Sequence, residues 1–207
     1  MGVLLVGEYL FIYFCAMPRV RDERKIKVIY QAALKLVLAE GFSGLKMSAV
    51  AKEAEVATGT VYIYFKNKHE LINQLYLHLK RKKTNYITSG YDPQAPFLQG
   101  FRVMWYNFFN ASLLSAEESA FLEQYYRSPY IREDTKVKRN QMLDPVYQLL
   151  ERGKAEGYVK LVETEILLAQ LIGPIHELVR LHHEAVLEAD EPLQEQAFQL
   201  AWDSVKA

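Results

Sequence analysis

The sequence predicts an all-α protein in two parts, a basic helix-turn-helix unit followed by a larger acidic helical bundle. Three observations carry this prediction: apolar residues recur at three- and four-residue spacing along most of the chain, no alternating strand pattern appears, and the charge changes sign near residue 90. Residues 18–90 hold 14 Lys/Arg against 6 Asp/Glu, and residues 91–207 hold 11 against 18, although the formal net charge is +0. Such a split draws a polyanion to the first half and repels it from the second, so a neutral isoelectric point is no argument against nucleic-acid binding. With 207 residues, 50% of them hydrophobic, the chain has enough material for one good core or two small ones and is far from a disordered composition.

The first seventeen residues, MGVLLVGEYLFIYFCAM, are strongly apolar and unlike the rest of the chain. They are too short for an ordinary membrane span, no Lys or Arg precedes Arg19, and Glu8 interrupts the run, which argues against a secretory signal. The preferred reading is an upstream extension with translation beginning at Met17; packing against the body and membrane anchoring are the alternatives. Even an inserted segment leaves Arg19, Arg21, Arg24 and Lys25 to hold the rest of the chain in the cytoplasm. A cytoplasmic protein with no stable membrane association is expected. Cys15, the only cysteine, excludes an internal disulfide framework and a multi-thiolate metal site.

Helix one is predicted over 21–40, where Ile26, Ile29, Tyr30, Ala33, Leu36 and Val37 share a face and Gly41 provides a stop. Met47, Val50, Ala51 and Ala54 then mark a short helix with a small apolar face. Glu55-Val56-Ala57 leaves room for only a tight turn before a second helix over 58–65 that buries Val61 and Phe65. Its outer residues, Thr58, Thr60, Tyr62, Ile63 and Tyr64 around Gly59, include no carboxylate, and such a face suits a major groove. A longer helix over 68–89 has Leu71, Leu75 and Leu79 on one stripe and a basic cluster at Lys80 to Lys83. Ser89-Gly90-Tyr91-Asp92-Pro93 is the clearest break. The predicted organisation is therefore a leader (1–17), a DNA-binding domain (18–67), a connecting helix (68–89) and a second helical domain (90–207).

In the second domain, helices are predicted at about 96–114, 116–128, 131–154, 164–189 and 193–205, with Pro145 and Gly173-Pro174 bending them or resetting their starts. Of the last two, the first is apolar on more than one face, with Ile166, Leu167, Ala169, Ile172, Ile175, Leu178 and Leu181, and the second supplies another apolar stripe, Leu193, Ala197, Leu200, Ala201 and Val205. Such a terminal pair fits a homodimer interface, with packing inside one chain as the alternative.

The stretch 41–71, GFSGLKMSAVAKEAEVATGTVYIYFKNKHEL, resembles the DNA-binding domain of the tetracycline-repressor (TetR) family of bacterial regulators, the likeness running over about 25–75. Gly41-Phe42 resembles the family's stop of helix one, Val50-Ala51 and Ala54 its second-helix positions, Thr58-Gly59-Thr60-Val61-Tyr62 its recognition-helix start, and Tyr64-Phe65, Lys68 and Leu71 complete the pattern. The resemblance implies a homodimer with an all-α effector domain that represses transcription until a small molecule lowers its affinity for double-stranded operator DNA. At the matching positions, Thr58, Gly59 and Thr60 are expected to read base edges. Tyr62, Tyr64 and Lys68 are expected to contact phosphates, with interhelical packing as the alternative for the two tyrosines. Two positions depart from the family pattern. Lys46 stands where a capping and phosphate-contacting Thr or Ser is usual, losing the cap and gaining a cation. Glu55 stands where the turn usually has Gly and must adopt or avoid a left-handed conformation at about 1 kcal/mol.

Phe97, Phe101, Trp105, Phe108, Phe109, Phe121, Tyr125 and Tyr126 crowd two consecutive helices. They fit either a core or a pocket for an apolar or aromatic effector. Trp105, Tyr125, Tyr147 and His176 are the expected ligand contacts, since each joins an apolar body to a polar tip. His176 and His183 lie seven apart, but the neighbouring carboxylates point elsewhere on a helix, so a surface histidine group is expected rather than a metal site. No phosphate-cradling glycine loop, nucleophile elbow or acid–base constellation is recognisable, and neither cofactor nor catalytic residue is expected. The expected protein is a non-enzymatic, ligand-released repressor; an all-α enzyme or a DNA-associated protein that senses no ligand are the rival readings.

Overall fold

Asp22 opens the first helix: its side chain accepts the Arg24 N–H at 3.0 Å, a cap for α1 (Glu23–Gly44). The computed structural model describes residues 22–207; the 1–17 leader with Cys15 and the Met17 start, together with Arg19 and Arg21, lie outside the described residues. Within α1, Gly41 takes φ +71°, so the regular helix stops after Glu40 and a short turn carries Phe42 across the domain. The helix-turn-helix comes next as α2 (Met47–Glu53) and α3 (Thr58–Tyr64). Beyond it lies α4 (Lys68–Ile87), capped by the Asn67 side chain, which accepts the Glu70 N–H at 2.9 Å.

The second half contains α5 (Phe97–Leu114), α6 (Ala116–Tyr126), α7 (Glu133–Ala155), α8 (Thr164–His183) and α9 (Glu191–Val205). Pro145 and Pro174 are accommodated inside α7 and α8. One predicted end is corrected: α8 stops at His183, six residues short of 189. Ala185 there takes φ +55° and the Ala189 N–H donates to His182 Nδ1 at 3.2 Å, turning the chain back toward α9. Asp190 then starts α9 two residues before the predicted 193 by accepting the Leu193 N–H at 2.9 Å. The described C-terminus is pinned by an isolated antiparallel bridge between Val159 and Lys206, with the Lys160 N–H donating to the Val205 carbonyl at 2.9 Å.

Burial organises these helices around two cores, and their division does not follow the break near residue 90. The first core joins Ile29, Val37, Val50, Val61, Leu71 and Leu75 from the basic half to Phe121 and Tyr125 from α6. Phe42 meets Phe121 and Tyr125 edge-on, and Tyr76 of α4 stacks on Tyr125 with ring centroids 4.0 Å apart. The second core gathers Phe97, Phe101, Phe109, Leu150, Leu167 and Phe198 from α5, α7, α8 and α9, and receives Ile87 from the far end of α4. Thus α4 runs through both cores.

A buried polar hub ties α4 to α6, α7 and the loop between them. Asn73 accepts hydrogen bonds from the Tyr125 hydroxyl at 2.6 Å and the Thr135 hydroxyl at 2.8 Å. Its amide donates to the carbonyls of His69 and Tyr130 at 2.7 and 3.1 Å. Every polar atom of the side chain is thereby used, as burial requires.

Candidate nucleic-acid interface and effector cavity

The turn between α2 and α3 solves the problem posed by Glu55. Its φ is +53°, the left-handed conformation, and the turn is closed by the Glu55 and Val56 N–H groups donating to Lys52 and Ala51 carbonyls at 3.2 and 2.9 Å. The structure therefore accepts a cost near 1 kcal/mol that glycine would avoid. Lys46 occupies the N-cap of α2 without a side-chain cap bond, leaving its ammonium exposed.

Burial fixes the rotation of α3. Val61 and Phe65 point into the first core, while Thr58, Gly59, Tyr62 and Ile63 are exposed and Thr60 is half-exposed. Gly59 is informative because the fold does not need it: a Cβ there would meet nothing within 4 Å, and its φ is not positive. A glycine in a helix costs up to about 1 kcal/mol relative to alanine, and no contact within the fold offsets that cost here.

Tyr64 and Lys68 are placed differently from their neighbours. The half-buried Tyr64 turns toward α1, where its hydroxyl oxygen accepts the Asp22 N–H at 3.3 Å and its ring lies beside Phe65. The Lys68 ammonium donates to the Ser43 carbonyl at 3.0 Å and lies 5.6 Å from the Tyr130 ring centre. It braces the corner between α1 and α2 while keeping its charge at the start of α4.

Of the four expected ligand residues, Trp105 and Tyr147 line an apolar cavity of about 110 Å³ between α4, α5, α7 and α8, whose walls include Met104, Leu150, Leu171 and Ile175. Tyr147 and His176 line an adjoining groove of about 380 Å³, and the two spaces share Lys80, Phe108, Leu143 and Ile172. Tyr125 does not join them. Its ring lies in the first core and its hydroxyl is committed to Asn73, so it couples helices instead of lining the cavity. The Trp105 indole N–H is buried and has no hydrogen-bond acceptor, an arrangement that costs about 1–3 kcal/mol when nothing compensates it.

Lys80 on the cavity wall and Lys83 in the adjoining groove were not among the expected ligand residues. Burial, aided by Arg139, lowers the Lys80 pKa to about 8. Burial and the charge of Lys80 lower Lys83 to about 8 as well. His176, although solvent reaches its ring, is lowered by partial desolvation and then by Lys83. The signal was present in the spacing, since Lys80 and Lys83 fall on the stripe that joins the buried Tyr76 and Ile87. Lysines on a buried stripe are uncommon, because an ammonium is rarely buried without a partner.

On the terminal helices, Leu167, Ile175, Val179, Ala201 and Val205 are buried in the chain's own core, whereas Ile166 is 52% and Leu200 73% exposed. Ala169 and Gly173 are exposed on α8 as well, and a Cβ on Gly173 would meet nothing within 4 Å. His182 bonds into the α8–α9 loop. Among the described residues no group of three His, Cys, Asp or Glu is placed to hold a metal ion, and no helix is long and apolar enough to cross a membrane.

Known proteins share this architecture. A family model described as tetracyclin repressor-like, C-terminal domain, matches residues 96–206, and one described as bacterial regulatory proteins, tetR family, matches residues 29–75. An uncharacterized HTH-type transcriptional regulator of Haemophilus influenzae is 34% identical over 117 residues, which span 54% of this chain and only 60% of that relative's length. A TetR family transcription regulator from Marinobacter aquaeolei has a TM-score of 0.84 at 23% identity, over 90% of this chain and 97% of that one. The regulator FadR from Bacillus subtilis, solved in complex with stearoyl-CoA, has a TM-score of 0.63 at 18% identity, over 84% and 95%. The last two show a shared fold alone. Because one family model covers more than half of the chain and the other covers its helix-turn-helix, the protein belongs to the TetR family of DNA-binding transcriptional regulators.

Proposed function

We propose that the protein is a homodimeric, cytoplasmic repressor that binds a palindromic operator and is released when a small effector with a substantial apolar part fills the cavity. The observation that carries this reading is the course of α4. Leu71 and Leu75 anchor its first turns in the core that holds α3, while Lys80 and Ile87 in its last turns wall the cavity. An effector that favours one placement of α4 over another therefore acts on the mounting of the reader, and a ligand shifts such an equilibrium only by its differential affinity. A hundredfold loss of DNA affinity needs about 2.8 kcal/mol of coupling. The stearoyl-CoA held by FadR supports the apolar character of the effector.

Within the reader, Thr58, Gly59 and Thr60 are assigned to base edges, and Lys46, Tyr62 and Lys68 to phosphates. Tyr64 is assigned to positioning α1 against α3, which its bond to Asp22 supports. The exposed Ile166, Ala169 and Gly173 on α8, with Leu200 on α9, supply a self-complementary surface for the dimer. Two readers in such a dimer meet successive major grooves about 34 Å apart.

Selection of genomic fragments by the full chain, combined with sedimentation at micromolar concentration, tests this reading. A dimer and a recurrent inverted repeat are expected. A monomer, or binding without any recurrent sequence, overturns it.

A further inference from the structure

The cations around the cavity lack partners that their neighbours have. Lys82 pairs with Glu118 at 2.6 Å, and Glu123, the one carboxylate among the residues that line the groove, pairs with Arg127 at 2.9 Å. Lys80, Lys83 and Arg139 form no ion pair with any described carboxylate. Lys83 donates only to the neutral hydroxyls of Ser112 at 3.1 Å and Ser119 at 3.5 Å and lies 4.6 Å from the Phe108 ring centre. Arg139 donates to the Asn140 side chain and rests 5.3 Å from the Tyr126 ring centre. All three line the 380 Å³ groove, and Lys80 also lines the 110 Å³ apolar cavity, so it stands where the two spaces meet.

This arrangement is costly in the empty protein. Three cations that repel one another are held in a partly dry, aromatic-walled groove, and desolvation outweighs what nearby charge returns. A neutral ligand leaves that cost in place. An anion removes it, because each lysine regains a charge-assisted hydrogen bond and the mutual repulsion is offset. The apolar cavity beyond Lys80 asks for the opposite chemistry. Its volume suits a short alkyl chain or a single ring, roughly the scale of a cavity that accepts benzene, and a longer body continues along the groove.

We propose that the effector is an amphiphilic organic anion, its apolar body in the cavity beside Trp105 and its anionic head held by Lys80, Lys83 and Arg139. The inference rests on reading this half as the effector-binding half, and it adds the charge of the ligand and the side chains that recognise it. A free carboxylate and an acyl thioester whose carrier brings phosphates share this chemistry.

Calorimetry on the DNA-free full chain with octanoate, octanoyl-CoA and 1-octanol tests it. At least one anion should bind tenfold or more tightly than the alcohol, and the tighter of the two anions identifies the source of the charge. Lys80→Met, which keeps the apolar stem, should erase most of that preference while leaving 1-octanol binding unchanged. Arg139→Gln, nearer the solvent, should reduce it several-fold, and thermal unfolding checks that both variants fold. Equal binding of alcohol and anions, no binding of any of the three, or an unchanged preference in both variants overturns the proposal. Release of operator DNA is read separately: an anion that binds without releasing DNA leaves this inference standing and refutes ligand-released repression.

Discussion

Replacing Asn73 by leucine is the sharpest test of how the two halves are joined. The substitution keeps the volume of a buried side chain but removes the acceptor for two hydroxyls and the donor to the Tyr130 carbonyl. Tyr125 and Thr135 are 0% and 2% exposed, so water does not replace what is lost. At about 1–1.5 kcal/mol for each of three stranded groups, the low end of the penalty for a buried unsatisfied partner, Asn73→Leu should cost about 3–4.5 kcal/mol. Tyr125→Phe leaves the Thr135 bond to the same oxygen and should cost about 1 kcal/mol. In the Asn73→Leu background the same tyrosine substitution should cost nearly nothing or restore stability, because the stranded hydroxyl is gone. Urea unfolding at fixed protomer concentration measures all three. Asn73→Leu should also lower the midpoint of thermal unfolding by roughly 6–18 °C. A loss below 1 kcal/mol for Asn73→Leu, or full additivity with Tyr125→Phe, would refute the hub.

Gly59→Ala should raise stability by about 0.5–1 kcal/mol, since the methyl meets nothing in the fold, yet weaken operator binding; gel shift and thermal unfolding together would show the opposite signs, and unaffected binding would remove Gly59 from the interface. Lys68→Ala should lower the slope of log affinity against log salt by about one per half-site, a change that loss of the Ser43 bond alone does not produce. Stability should rise as the pH goes from about 8 to the ordinary lysine range. The unfolded chain there still binds protons that Lys80 and Lys83, both lowered to about 8, have released. The rise should shrink in Lys80→Met, as read by denaturant midpoints across that range.

The helix-turn-helix was legible because its signals are local. Val61 and Phe65 four apart, Gly41 after helix one and the short Glu55-Val56-Ala57 turn each specify backbone within a few residues, and the structure places a stop, a turn and a buried face at those positions. The α8 end was not legible, because the left-handed Ala185 and the bond from Ala189 to His182 depend on how the chain returns to α9. Tyr125 shows a deeper limit. An aromatic residue with a polar tip suits a ligand pocket and a buried hydrogen bond equally, and only the arrival of Asn73 from 52 residues away decides between them. The cationic groove was legible in principle, since Lys80 and Lys83 break an apolar stripe, but Arg139 comes from α7 and no spacing announces it.

The seating of α6 in the first core bears on how such regulators can be recombined. A reader cut from this chain at residue 90 would take Phe42 and Tyr76 with it and leave behind Phe121 and Tyr125, the rings that cover them. Its exposed aromatic surface would favour aggregation over an independent fold. Grafting this reader onto a foreign sensor would therefore require residues 116–135 to travel with it, or a replacement helix offering equivalent rings and a hydroxyl for Asn73. The unit of exchange in this protein is discontinuous in sequence, and under the proposed effector reading a new ligand specificity is reached more directly by altering α5, α7 and α8 in place than by swapping everything after the connecting helix.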